Sequence, residues 1–195
     1  MMSNIKIDQQ KGFTIVELVV VIIILGILAA TALPRFIDVA DEAHVSAVDG
    51  VRGALATSVQ QGRAIYIAQA KPTSYTMDGT TIYADTTLGY PRSTTASGAS
   101  GMVTGECDEL FTALLGPSSP AIVGLADTTG ATKAVSGMGT TTNTDWYALV
   151  NHATPASATG CNWAYTGRGI TSGTTLSVLQ YNIDTGVVAL ATETF

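Results

Sequence analysis

A chain of 195 residues that is 46% hydrophobic and only 12% charged has room for one modest folded domain once its most apolar segment is set aside. Its formal charge of −6 and pI of about 4.6 argue against wrapping a nucleic-acid backbone, which takes clustered Lys and Arg. The basic residues beyond Gly12 are scattered, so nucleic acid is not an expected partner.

The first feature along the chain is the apolar run from Phe13 to Leu33, about 21 residues or roughly 31 Å as a helix, which matches the hydrocarbon thickness of a bilayer. Lys6 and Lys11 precede it with only Asp8 against them, and Asp38, Asp41 and Glu42 follow Arg35. The positive-inside bias keeps residues 1–12 in the cytoplasm and sends everything after Pro34 across the membrane. A cleaved secretory signal is one reading of the run, because Ala30-Thr31-Ala32 fits an A-x-A exit. A plain single-pass anchor is another. Both leave Glu17 unexplained, since a carboxylate within a membrane helix costs about 2.5 to 3.5 kcal/mol on insertion scales unless something pairs with it. Cleavage between Gly12 and Phe13 would create an α-amino cation one helical turn from Glu17. Axially staggered copies could then pair the amine of one with Glu17 of the next, the pair selecting the stagger while apolar packing supplies the cohesion.

Gly12-Phe13-Thr14-Ile15-Val16-Glu17, preceded by a short basic leader and followed by an unbroken apolar helix to Pro34, closely resembles the class III signal of type IV prepilins. The resemblance implies cleavage after Gly12 by a prepilin peptidase that also N-methylates Phe13, with Glu17 as the assembly carboxylate. The short leader points to the type IVa group. The stretch from Gly26 to Gln69 resembles the helix of pilins from the mannose-sensitive haemagglutinin (MSHA) pilus, and a Tyr-Pro pair, a Cys before a short helix and a late Cys followed by aromatics fit that group. Likeness is dense over Lys11–Gln69 and loose afterwards. It implies identical or related pilin subunits, the prepilin peptidase and the inner-membrane assembly machinery as partners. The chain would sit in the inner membrane of a Gram-negative cell with its head in the periplasm, then in an extracellular pilus.

Beyond Pro34, apolar or small side chains recur at Ile37, Ala40, Ala47, Val48, Val51, Leu55, Val59, Gly62 and Ile65 or Tyr66, close to a helical period, and Pro72 marks a stop. If continuous from Phe13 to about Gln69, the helix is roughly 85 Å long and its first half projects from the head. Gly26 and Pro34 bracket a weak segment, because Gly costs about 1 and Pro about 3 kcal/mol relative to Ala in a helix interior. An ordinary kinked membrane helix is one reading; the family resemblance implies a segment that unwinds in assembled filaments. Gly50, Gly53 and Gly62 are expected to let a sheet or a neighbouring helix approach closely.

After Pro72 the period changes. Asp78-Gly79, between alternating polar and apolar residues, signals a hairpin. Cys107–Pro117 reads as a short helix closed by Gly116 and Pro117. Strands are expected at 146–150, 162–166, 176–183 and 187–192, the last two joined by Asp184-Thr185-Gly186, for which a plain turn is favoured over a calcium loop. Ser93–Gly101 and Thr128–Thr144, rich in Ser, Thr, Gly and Ala, read as exposed loops. The fold class is α+β: a long N-terminal helical spine, its first half membrane-spanning, packed on a C-terminal antiparallel β-sheet. The expected division is a cleaved leader over 1–12, a polymerisation helix over 13–34, its amphipathic continuation over 35–70 and a disulfide-bearing head over 71–195.

Cys107 and Cys161 are the only cysteines, and in an exported chain a widely separated pair reads as one structural disulfide. His44 and His152 come with no catalytic signature, and neither a phosphate loop nor a dinucleotide fingerprint is present. No enzyme activity, cofactor or metal is expected. The leading functional class is a structural subunit polymerised through its N-terminal helix for adhesion and biofilm formation, with motility as a further role to test. The alternatives are a pseudopilin of a type II secretion system and an exported, membrane-anchored binding module.

Overall fold

The computed structural model describes residues 12–96, 104–124, 144–150, 160–167 and 174–194. The leader up to Lys11, His152 and most of the two polar loops lie outside the described residues. Contacts divide the chain into two units, Met1–Ala43 and His44–Phe195, so the boundary falls inside the first helix, α1 (Ile15–Ala68).

In the first unit α1 runs without interruption through Gly26 and Pro34. Pro34 has no N–H to offer residue 30, and one turn earlier the Thr31 hydroxyl donates to the Leu28 carbonyl at 2.9 Å. Every described side chain from Gly12 to Ala43 is exposed, including Phe13 at 91%. This part of α1 contains a segment long and apolar enough to cross a membrane.

In the second unit the remainder of α1 is amphipathic. Val48, Leu55, Val59 and Tyr66 are buried and recur at helical spacing, whereas Ala47, and Ala40 in the first unit, expected on the same face, are exposed. The helix closes through Ala70 and Lys71, both left-handed (φ 60° and 63°), with the Lys71 N–H donating to the Tyr66 carbonyl at 2.9 Å. Pro72 follows and cannot continue it.

Two sheets build the rest. The first joins β1 (Ser74–Met77), β2 (Thr80–Ala84) and β3 (Pro91–Ser93), with Asp78 and Gly79 at positive φ (47° and 81°) forming the two-residue turn that matches strand twist. The second is ordered β4 (Ile122–Gly124), β5 (Trp146–Val150), β6 (Gly160–Tyr165), β7 (Thr175–Asn182) and β8 (Val187–Thr194). Between the sheets in sequence lies α2 (Thr104–Leu115), followed by a short 3₁₀ turn over Gly116–Ser118. The core gathers Val48, Leu55 and Val59 of α1, Leu110, Phe111 and Leu114 of α2, Ile82 of β2, and Trp163, Leu179 and Tyr181 of the large sheet.

The α+β architecture of a long apolar helix followed by antiparallel sheets is what the sequence implies, with three differences. The strands form two sheets instead of one, because β3 belongs with the β1–β2 hairpin. One pairing, β4 with β5, is parallel, which the long connection over residues 125–145 permits and a tight turn would not. Helix α2 starts three residues before Cys107, so this cysteine lies within the helix and not before it.

Gly62 is buried where an added Cβ would come 2.3 Å from the Tyr75 hydroxyl and 2.9 Å from Pro91 Cγ, so this glycine admits the β1 and β3 side chains onto α1. Gly50 and Gly53 differ from expectation: both are exposed and an added Cβ meets nothing within 4 Å, so neither serves a close approach within the subunit.

Candidate assembly site

The residues singled out at the N-terminus sit at the start of α1. Gly12 and Phe13 precede the helix and are exposed, so the peptide bond between them is accessible. Thr14 is the residue before the first helical turn. Its N–H donates to Glu17 Oε2 at 2.8 Å and its hydroxyl to the same oxygen at 2.9 Å, while the Glu17 N–H donates back to Thr14 Oγ1 at 3.2 Å. This reciprocal pattern is a capping box, in which the third helical residue satisfies the backbone donor of the cap and the cap returns the favour. The signal is in the sequence, as Thr-x-x-Glu directly ahead of an apolar run, where hydropathy and charge alone do not show it.

The geometry changes the question that Glu17 raises. Its carboxylate has a partner in its own chain, but that partner is neutral: hydrogen bonds from Thr14 satisfy one oxygen without cancelling the charge. The ion pair within 4 Å among the described residues is Arg52–Asp49, on the exposed face further along α1. Among the described residues no cation lies within 4 Å of Glu17.

Cys107 and Cys161 are joined in a disulfide, with Cα atoms 5.6 Å apart, and it fastens α2 to β6. Both cysteines are fully buried, and the Trp163 indole N–H donates to the Cys107 carbonyl at 2.9 Å. Around it several polar groups of the second unit are engaged structurally. Buried Glu106 accepts from the Thr95 hydroxyl at 2.7 Å and the Ser93 hydroxyl at 3.3 Å, tying α2 to the end of β3. Arg63 donates to the Tyr90 hydroxyl at 2.9 Å with its guanidinium 4.7 Å from that ring's centre. The 184–186 segment is a plain turn: Asn182 Oδ1 accepts the Thr185 N–H at 3.0 Å and Gly186 takes φ 68°. Among the described residues no group of three or more His, Cys, Asp or Glu is placed to hold a metal ion.

Comparison with known proteins places the likeness where this site lies. Residues 7–33 match the family described as the prokaryotic N-terminal methylation motif. The type IV narrow pilus major component PilA5 of Thermus thermophilus is 48% identical over 63 residues, covering 32% of this chain and 51% of that protein. The type IV major alpha-pilin of Moraxella bovis is 38% identical over 71 residues, covering 34% of this chain and 45% of that protein. The type II secretion system core protein G of Pseudomonas aeruginosa is 43% identical over 51 residues, covering 26% of this chain and 36% of that protein. The chain thus spans about half the length or less of these curated relatives. No solved structure matches it significantly. Over its N-terminal third the chain is similar to type IV pilins, and residues 7–33 match the N-terminal methylation motif. The relatives on the pilus side are named as a pilus major component and a major pilin.

Proposed function

We propose that this protein is the structural subunit of a type IV pilus, made as a membrane-anchored precursor and polymerised through α1 into a surface filament for adhesion and biofilm formation. The observation that carries the reading is the apolar part of α1: an exposed membrane-length helix with a capped carboxylate at Glu17, inside the matched methylation motif. Such a helix is soluble in lipid or against copies of itself, and nowhere else. In the precursor, lipid covers it. In the filament, neighbouring subunits replace lipid, and packing of apolar side chains supplies the cohesion.

In this reading residues 1–12 are a leader removed between Gly12 and Phe13 by the prepilin peptidase, which also methylates Phe13. The new amine then meets Glu17 of a neighbour and selects the axial stagger. Gly26 and Pro34 give the helix between them its capacity to unwind as the filament forms. The pilus assembly machinery of a Gram-negative inner membrane is the partner that extracts the subunit, whose head faces the periplasm beforehand. Membership of the MSHA-like subgroup rests on the resemblance over Lys11–Gln69, on Tyr90-Pro91 and on Cys161 followed by Trp163 and Tyr165.

A pseudopilin of a type II secretion system is the second reading, favoured by the likeness to the core protein G. Mass spectrometry of material sheared from the surface of expressing cells separates the two. Filaments whose subunit begins at N-methylated Phe13 are expected. A subunit beginning after Ala32, or one that keeps its leader and stays in the membrane fraction, would overturn the proposal. A Phe13 start confined to the cell envelope would favour the pseudopilin.

A further inference from the structure

Six aromatic rings form an unbroken series through the second unit. Ring centres lie 5.8 Å apart from His44 to Tyr165, 5.1 Å from Tyr165 to Trp146, 5.5 Å from Trp146 to Phe111, 5.3 Å from Phe111 to Trp163 and 6.1 Å from Trp163 to Tyr181. Both tryptophans of the chain belong to it. Phe111, Trp146 and Trp163 are buried, and Trp163 bonds to the backbone of a disulfide cysteine; Tyr165 and His44, at the other end, are only half-buried. Ring packing alone accounts for the distances. It does not account for the chemistry of the outer end, where the Tyr165 hydroxyl and His44 Nδ1 are 2.7 Å apart.

The other tyrosines for which a hydroxyl environment is described are not placed to give up a proton. Tyr66 and Tyr181 donate to the carbonyls of Thr86 and Pro91, Tyr90 accepts from Arg63, and the Tyr75 hydroxyl is buried without a partner among the described residues. A carbonyl is no proton acceptor at neutral pH, whereas a neutral imidazole is one. Burial, helped by nearby Tyr75, Tyr90 and Asp85, also holds the Tyr181 phenol well above its ordinary range.

We propose that this series drains one-electron oxidation out of the disulfide-bearing core to the Tyr165–His44 pair. A radical-type one-electron oxidant takes an electron from Trp163 or Trp146, leaving an indole radical cation. Tyr165 supplies the electron that refills the indole, and its phenolic proton passes to His44 Nδ1. The products are an intact tryptophan, a neutral tyrosyl radical and an imidazolium. A soluble thiolate gives one electron to the phenoxyl oxygen and becomes a thiyl radical, two of which combine to a disulfide; the imidazolium returns the proton, and the resting pair is restored. This function is independent of whether the chain polymerises.

The test uses the full, disulfide-bonded chain in detergent, oxidised by photogenerated ruthenium(III) tris-bipyridine. Freeze-quenched electron paramagnetic resonance reads the radical, peptide mass spectrometry reads the damage, and near-ultraviolet circular dichroism reads the fold. A tyrosyl signal is expected in the parent and not in Tyr165→Phe, in which oxidation of Trp146 and Trp163 increases. His44→Gln should slow tyrosyl formation by roughly a hundredfold, the low end of what a positioned general base supplies. A tyrosyl signal that survives Tyr165→Phe, tryptophan damage that does not change, or His44→Gln forming the radical at the parent rate would each overturn the proposal. Should Tyr165→Phe lose the native dichroism, the rate in His44→Gln decides alone.

Discussion

Leu25 and Leu55 lie on the same helix and have the same side chain, yet Leu25 is 58% exposed and Leu55 is fully buried. The difference is in what the chain supplies around them. From His44 onward, α1 meets its own α2 and β-strands, so an apolar side chain finds cover within the molecule. Before Ala43 the described side chains are exposed, and from Ile15 to Leu33 the helix is apolar on every side apart from Glu17. A helix hydrophobic on one stripe needs one packing partner; a helix hydrophobic all round needs a solvent of lipid or of other helices. One continuous element therefore carries two different demands, stability in one part and association in the other, and substitutions should separate them.

The largest expected effect is at the disulfide. Replacing Cys107 and Cys161 together by Ser removes a cross-link spanning 54 residues of sequence and should cost the second unit about 4 kcal/mol, an upper figure from chain entropy. Thermal or urea unfolding followed through Trp163 fluorescence measures it. Helical signal from the apolar part of α1 should be unchanged, and a parallel loss there would mean that the two parts of the helix are not energetically separate.

Next comes the pair of leucines. Leu55→Ala should destabilise the unfolding transition by about 2–5 kcal/mol through lost burial and a residual cavity. Leu25→Ala should alter it by no more than about 0.5 kcal/mol, while lowering the yield of sheared filaments. Equal effects on stability would break the comparison.

The glycines sharpen it further, since they should respond with opposite signs. Gly62→Ala drives a methyl into the Tyr75 hydroxyl and Pro91 and should cost about 1–3 kcal/mol. Gly53→Ala meets open space in ordinary helical backbone and should stabilise the isolated subunit by about 1 kcal/mol. Denaturant midpoints of the two variants check this directly.

The smallest effect concerns Tyr75, which is buried and whose hydroxyl has no hydrogen-bond partner among the described residues. Tyr75→Phe should therefore stabilise by about 1 kcal/mol. Burial holds the Tyr75 phenol, like that of Tyr181, above its ordinary value of 10.0. The unfolded chain loses these protons near pH 10 and the folded one does not, so the stability they contribute is complete below about pH 10 and declines as the pH rises beyond it. Tyr75→Phe should make that alkaline decline shallower in urea titrations at pH 9 to 11.

Much of the helix and its chemistry could be read from local pattern. The apolar run, the offset of Glu17 from Phe13 and the Asp78-Gly79 turn are each properties of a few adjacent residues, and the structure gives the run and the turn the forms those residues dictate. Strands β3 and β4 were missed because each is three residues long, too short for a period of two to stand out, and because Ser93, read as the start of a loop, is fully buried against Glu106. The capping box at Thr14 and Glu17 was legible and overlooked.

By itself the sequence determined that this chain has an uninterrupted helix of membrane length with one carboxylate near its start, and that a half-buried β structure follows, because hydropathy and helical or strand period act over neighbouring residues. Only the tertiary structure decided which glycine bears a neighbour's weight, that β4 runs parallel to β5, and that His44 meets Tyr165 across 121 positions of sequence. Those outcomes depend on which surfaces fill one another's volume, and packing of that kind is set by the whole domain at once.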